Sequence, residues 1–156
     1  MNTRMKHVVE YIKSHNLMQL ATGTKKPWIC TVFYAIDEKL NIYFISNPRR
    51  QHCLDIRKNK NVACAITDSN QSVVSKKIGV QIQGVASLIN SEKDMERAFG
   101  IWNRANSGFE KVINIEGVRN GTMSDRPFVI TPKKIKFFNE CLYGPEAVRV
   151  FKLNNR

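Results

Sequence analysis

Residues 28–52 read WICTVFYAIDEKLNIYFISNPRRQH, and this stretch decides the fold. Trp28 to Ile36 is β-branched and aromatic at both alternating positions, a pattern that predicts a central strand covered on both faces. Asp37-Glu38-Lys39 supplies a turn, and Leu40 to Ser46 is a second strand of the same quality. Asn47-Pro48 then ends the extended run: Asn suits a helix cap and Pro its first turn, so a short helix is expected to about Lys58. Two long strands and a strand-to-helix corner are thus adjacent in the chain.

Working outward, Met5, Val8, Val9 and Ile12 recur at three- and four-residue intervals, predicting an amphipathic helix over residues 4–15, with Asn2 or Thr3 as its cap. Leu17 to Ala21 reads as a strand, joined to Trp28 through the turn residues Thr22 to Pro27. Val62 to Thr67 and Gly79 to Ile89 read as two more strands. Ser91, with an acid three residues later, opens a helix that places Met95, Ala98, Phe99 and Trp102 on one face. Residues 105–126 carry no strong pattern and are expected to be partly irregular. Phe128 to Thr131 and Ile135 to Phe138 complete the sheet, with a bend or bulge at Pro132, whose missing N–H interrupts a ladder. About six strands and two or three helices result, with no internal repeat.

A chain of 156 residues, 42% of them hydrophobic, has room for one domain, residues 1–156, with a sizeable core. No run approaches a bilayer span and the N-terminus leads into no signal-peptide pattern, so a soluble cytoplasmic protein is expected. Cys30, Cys53, Cys64 and Cys141 are widely spaced and read as free thiols; with His7, His15 and His52 they form no metal-ligand set. The net charge of +12 favours anionic partners. Its lysines and arginines, however, are scattered in pairs, and no strand interleaves basic with aromatic residues as nucleic-acid readers do. Nucleic acid is therefore not the expected partner.

The corner Ser46-Asn47-Pro48-Arg49-Arg50-Gln51-His52 has the chemistry of an anion site. Helix-opening N–H groups point where a phosphate can sit, Ser46 and Asn47 can donate, and Arg50 can bind in a bidentate fashion. An ordinary solvated helix start is the alternative reading of the same residues. Gln81 and Gln83 share one face of their strand and can both donate to and accept from a ring edge, or simply face solvent. Trp28 and Trp102 read as packing residues. No side chain stands out as a general acid or base.

The ordered series NLMQLAT, KPWICTVFYAIDEKLNIYFISNPRRQHCLDIRKNKNVACAI and GVQIQGVASLI, over residues 8–104, resembles the pyridoxamine 5′-phosphate oxidase-like flavoproteins, particularly their small bacterial members. The resemblance implies a mainly β fold, a six-stranded antiparallel split β-barrel with flanking short helices, holding FMN at the interface of a homodimer. It places Thr31, Val32 and Phe33 along the isoalloxazine, Ser46 and Asn47 near the ribityl chain, and Arg50 and Gln51 at the phosphate; Gln81 and Gln83, by the alternation of their strand, are candidates for the edge of the flavin ring or for solvent. His52 lies beside them, equally readable as a structural helix residue. A flavin-dependent oxidoreductase acting on an unknown small substrate is the activity implied. The closing segment Gly144 to Lys152 does not match the substrate-gripping arginine segment of the vitamin oxidases, so pyridoxamine phosphate is not the expected substrate. The rival readings are a flavin or haem binder without turnover, a haem wanting an axial ligand such as His52, and a basic nucleic-acid-binding module.

Overall fold

A computed structural model describes residues 3–23, 25–145 and 148–153. Asn2, expected as a helix cap, Thr24 of the first turn, and Glu146 and Ala147 of the closing segment lie outside the described residues. Helix α1 (Thr3–Lys13) buries Val8 and Ile12, one turn apart, and its last turn is held by the Tyr34 hydroxyl, which donates to the Ile12 carbonyl.

Strands β1 (Leu17–Thr22), β2 (Trp28–Ile36) and β3 (Ile42–Ser46) follow, then helix α2 (Gln51–Lys58), β4 (Asn61–Ile66), β5 (Ile78–Leu88), helix α3 (Glu92–Ala105), the short α4 (Ile115–Arg119), β6 (Arg126–Asn139), α5 (Glu140–Tyr143) and β7 (Val148–Lys152). The strand order is β3-β2-β1-β4-β5-β6, and β6 pairs back onto β3, so six antiparallel strands close into a barrel. This is the expected split barrel. The sequence reading did not foresee β7, which extends the sheet on the second half of β6.

Alternation fills the interior: Met18 and Leu20, Val62 and Cys64, Val80 and Ile82 point inward, as do Phe44 and Tyr34. On β6 the inward residues are Phe128 and Ile130 in the first half but Ile135 and Phe137 in the second, a switch from even to odd positions. The switch has a local cause. Gly84 pairs with Pro132 while Gln83 pairs with Lys134, which leaves Lys133 as the extra residue of a bulge. One inserted residue turns the strand over and keeps both halves facing the core.

Helix α3 lies outside the barrel, with Ala98, Ile101 and Trp102 packed on Ala35 and Tyr43. Its Ser91 cap is as expected: the side chain accepts from the Asp94 amide. Two expectations are corrected. Helix α2 starts at Gln51 with Arg50 as N-cap and no side-chain cap. Asn47 instead closes a turn ahead of the helix, its Oδ1 accepting from Arg49 N and its carbonyl from Arg50 N. Strand β2 is not covered on both faces either: Trp28, Ile29, Thr31 and Phe33 are exposed, and only its second half is sheltered by α3.

Candidate functional site at the open edge of β2

Strand β3 pairs with β2 only over Tyr34–Ile36; beyond Phe44 it stays with β6, where Ile45 faces Pro127 and Ser46 faces Arg126. Residues 28–33 of β2 are consequently paired on one side alone, with β1. The Phe33 carbonyl faces the opening and accepts a hydrogen bond from Trp102 Nε1 at 3.2 Å. Main-chain groups of alternate residues in an antiparallel strand point to the same side, so those of Thr31 and Ile29 face that opening as well. An unpaired strand edge of this kind presents donors and acceptors in a line.

A cavity of about 510 Å³ occupies the gap. One wall is β2 itself, from Trp28 through Cys30, Thr31, Val32 and Phe33; Ile45 and Trp102 form a second, apolar wall; Ser46, Arg50, Gln51 and His52 close one end. None of these residues is acidic. Arg50 is exposed just ahead of α2, and no carboxylate pairs with its guanidinium among the described residues. The Arg50 carbonyl already accepts from Cys53 N and Leu54 N, so the Gln51 and His52 amides are the first N–H groups of the helix and carry its positive end.

His52 is 8% exposed, its Nε2 lies 2.8 Å from Ser46 Oγ, and its ring packs beside Phe44. Burial, and after it the Arg50 guanidinium, holds the imidazole pKa below its ordinary value. Cys30, on the cavity wall, has its thiol pushed up to about 11 by burial and by neighbouring Cys53, which leaves it protonated and unreactive at neutral pH. Asp55 sits behind the corner, accepting from Gln51 Nε2 at 2.7 Å and from Thr22 Oγ1 at 3.0 Å, and ties α2 to the end of β1.

Of the residues singled out from sequence, Thr31, Val32, Phe33, Ser46, Arg50 and Gln51 meet at this one cavity. Asn47 stands beside it with its amide turned away, donating to Ser124 Oγ at 2.9 Å. Gln81 and Gln83 lie elsewhere, on the outer barrel face, in a hollow of about 360 Å³ shared with Gln19, Lys134 and Lys136. Trp102 packs as read, buried among Ala35, Tyr43, Ala98 and Ile101 while also lining the cavity, whereas Trp28, read as a packing residue too, is 51% exposed on the cavity wall. The signal for Trp28 was its place at the first residue of a strand, where the core no longer reaches. All four cysteines are free, and the described residues form no cluster suited to a metal. Among them, no helix is long and apolar enough to cross a membrane.

The cavity thus joins an apolar wall, a strand edge with unpaired main-chain groups and a cationic end. The family model for pyridoxamine 5′-phosphate oxidase matches residues 5–138. The chain belongs to that family. No curated protein matches its sequence. Among solved structures, a haem-binding protein from Mycobacterium smegmatis superposes with a TM-score of 0.76 at 15% identity, over 97% of this chain and 59% of that one. A conserved hypothetical protein from Mycobacterium tuberculosis gives 0.74 at 15% identity over 99% and 93% of the two chains. A general-stress-protein-26-related member of the pyridoxinephosphate oxidase family from Clostridium acetobutylicum gives 0.67 at 12% identity over 98% and 97%. At such identities the shared property is the barrel. This family member thus spans little more than half of the M. smegmatis protein while matching the other two along nearly their whole length.

Proposed function

We propose that this chain binds FMN in the cavity along the open edge of β2 and serves, as a homodimer, in a flavin-dependent oxidation or reduction of a small substrate. The observation that carries the reading is the joining, in one cavity, of an unpaired strand edge with the Arg50 corner at the start of α2. Thr31 and Ile29 main-chain groups would meet the polar edge of the ring, Trp102 and Ile45 would cover its apolar part, and Arg50 with the Gln51 and His52 amides would hold the phosphate. When bound, the flavin supplies the electron chemistry. The protein's part is to orient it, to exclude water with aromatic walls and to place positive charge at one end.

The dimer reading rests on the outer barrel face, where Leu17, Ile29 and Phe33 are 41%, 63% and 49% exposed around the small residues Ala21, Ala63 and Ala65. Gln81 and Gln83 share that face and would reach a flavin only across such a dimer. Haem is the second reading, since one structural neighbour is a haem-binding protein. The side chain it would call on, His52, is buried with Nε2 engaged by Ser46, and ligation would break that bond. Flavin is therefore the better-supported ligand.

The test is the visible spectrum of the purified protein with and without added FMN. A flavin spectrum, or flavin fluorescence quenched on addition of the protein, supports the reading; a haem spectrum supports the second. A colourless protein that ignores FMN overturns the first.

A further inference from the structure

Ser46 and His52 form a buried pair at the cationic end of the cavity, with Ser46 Oγ 2.8 Å from His52 Nε2 and residue exposures of 9% and 8%. A hydroxyl has one hydrogen and two acceptor lone pairs, so the direction of this bond decides what Ser46 offers a ligand. Where Ser46 donates to the imidazole, only lone pairs are left, and lone pairs repel an anion. Where Nε2–H donates to Ser46, the hydroxyl hydrogen is free to turn into the cavity. The Cys53 thiol also neighbours Ser46: burial pushes its pKa up, and a hydrogen bond from the Ser46 hydroxyl acts against that rise, so the sulfur is a competing acceptor for the same hydroxyl hydrogen.

The charges around the imidazole are few. Arg50 precedes it and opposes protonation, and Asp55, on its own helix, favours it. From β3 it meets the uncharged Phe44 ring, and Asp125 and Arg57 act on neighbouring Cys53. An anion arriving at the start of α2 would be a further negative charge beside the ring, and it rewards whichever state carries hydrogen on Nε2.

We propose that His52 is a positioning residue for a phosphate ester, donating Nε2–H to Ser46 so that the Ser46 hydroxyl is turned onto the ester oxygen. This rests on the FMN reading above and adds to it the means by which the corner selects the phosphorylated form of the flavin. The hydrogen on Nε2 comes from proton uptake by the imidazole as the ester binds. Uptake ties affinity to pH: ester binding tightens as the pH falls toward about 6, near which the ester begins to lose its own second charge.

FMN and riboflavin, which lacks the phosphate, are titrated into the intact protein at several pH values, with flavin fluorescence as the readout. The ratio of their affinities isolates the phosphate contribution. In His52→Leu and in Ser46→Ala that ratio is expected to fall roughly tenfold or more, the worth of a hydrogen bond to a charged group, with no further fall in the double variant. His52→Gln keeps an N–H within reach of Ser46, and it should restore the ratio while flattening its pH dependence. An unchanged ratio in Ser46→Ala, or in a folded His52→Leu, overturns the proposal, as does a pH dependence in His52→Gln equal to that of the original protein. If both flavins bind and FMN is not preferred, the proposal falls while flavin binding stands. If neither binds the original protein, the FMN reading falls and takes the proposal with it.

Discussion

Arg50 stands in solvent at the end of the cavity where positive charge gathers, and among the described residues no carboxylate pairs with it. Replacing it with alanine is expected to weaken FMN binding by roughly 1.5–3 kcal/mol without loss of folding, as measured by fluorescence titration beside a circular-dichroism check. His52 carries a different consequence, for the protein without ligand. Its imidazole is held below its ordinary value in the folded state, so over that interval the unfolded chain binds more protons, and stability is lost as the pH falls below about 6.5. Chemical denaturation at successive pH values should show that decline, and His52→Gln should remove its histidine part. At this scale Ser46, Arg50 and Gln51 were legible in the sequence because a strand-to-helix corner is local chemistry. The engagement of Asn47 with Ser124, 77 residues away, was not, since nothing in either neighbourhood announces the other.

Among the elements, β2 and β6 repay the closest reading. Trp102 Nε1 satisfies the Phe33 carbonyl where β3 has turned away, so Trp102→Phe should cost about 1 kcal/mol of stability and loosen that edge; hydrogen exchange of β2 amides would report it. A Cβ placed on Gly84 would sit 2.8 Å from Ile130 Cγ2 and 2.9 Å from the Thr131 carbonyl oxygen, in the bulge that turns β6 over. Backbone cannot step aside as a side chain can, and Gly84→Ala is expected to lose about 1–3 kcal/mol in denaturant melts. Pro132 foretold that irregularity, because a missing N–H is visible in the letters. The apolar alternation of β2 misled, because periodicity reports that a face is to be covered and does not say what covers it.

For the whole molecule, the proposed dimer would cover the outward residues Leu17, Ile29 and Phe33, and sedimentation should then find a dimer in the original protein. Ile29→Glu, on the outer face, should shift it to monomers and weaken flavin binding; a monomeric original protein would remove the dimer from our proposal. The net charge of +12 would raise the rate of encounter with an anionic cofactor and make it fall with salt. By itself the sequence determined the strand segments of β1 to β6, though not β7, the α3 helix with its Ser91 cap and the basic strand-to-helix corner, since alternation, capping and turn chemistry are written in neighbouring residues. Only the tertiary structure decided that β6 closes the barrel onto β3, that β2 is left with an open edge, and that Trp28 and Trp102 reach the same cavity as Arg50. Closure depends on strand partners many residues apart, and a cavity exists only where such partners diverge; neither is encoded in any local stretch of chain.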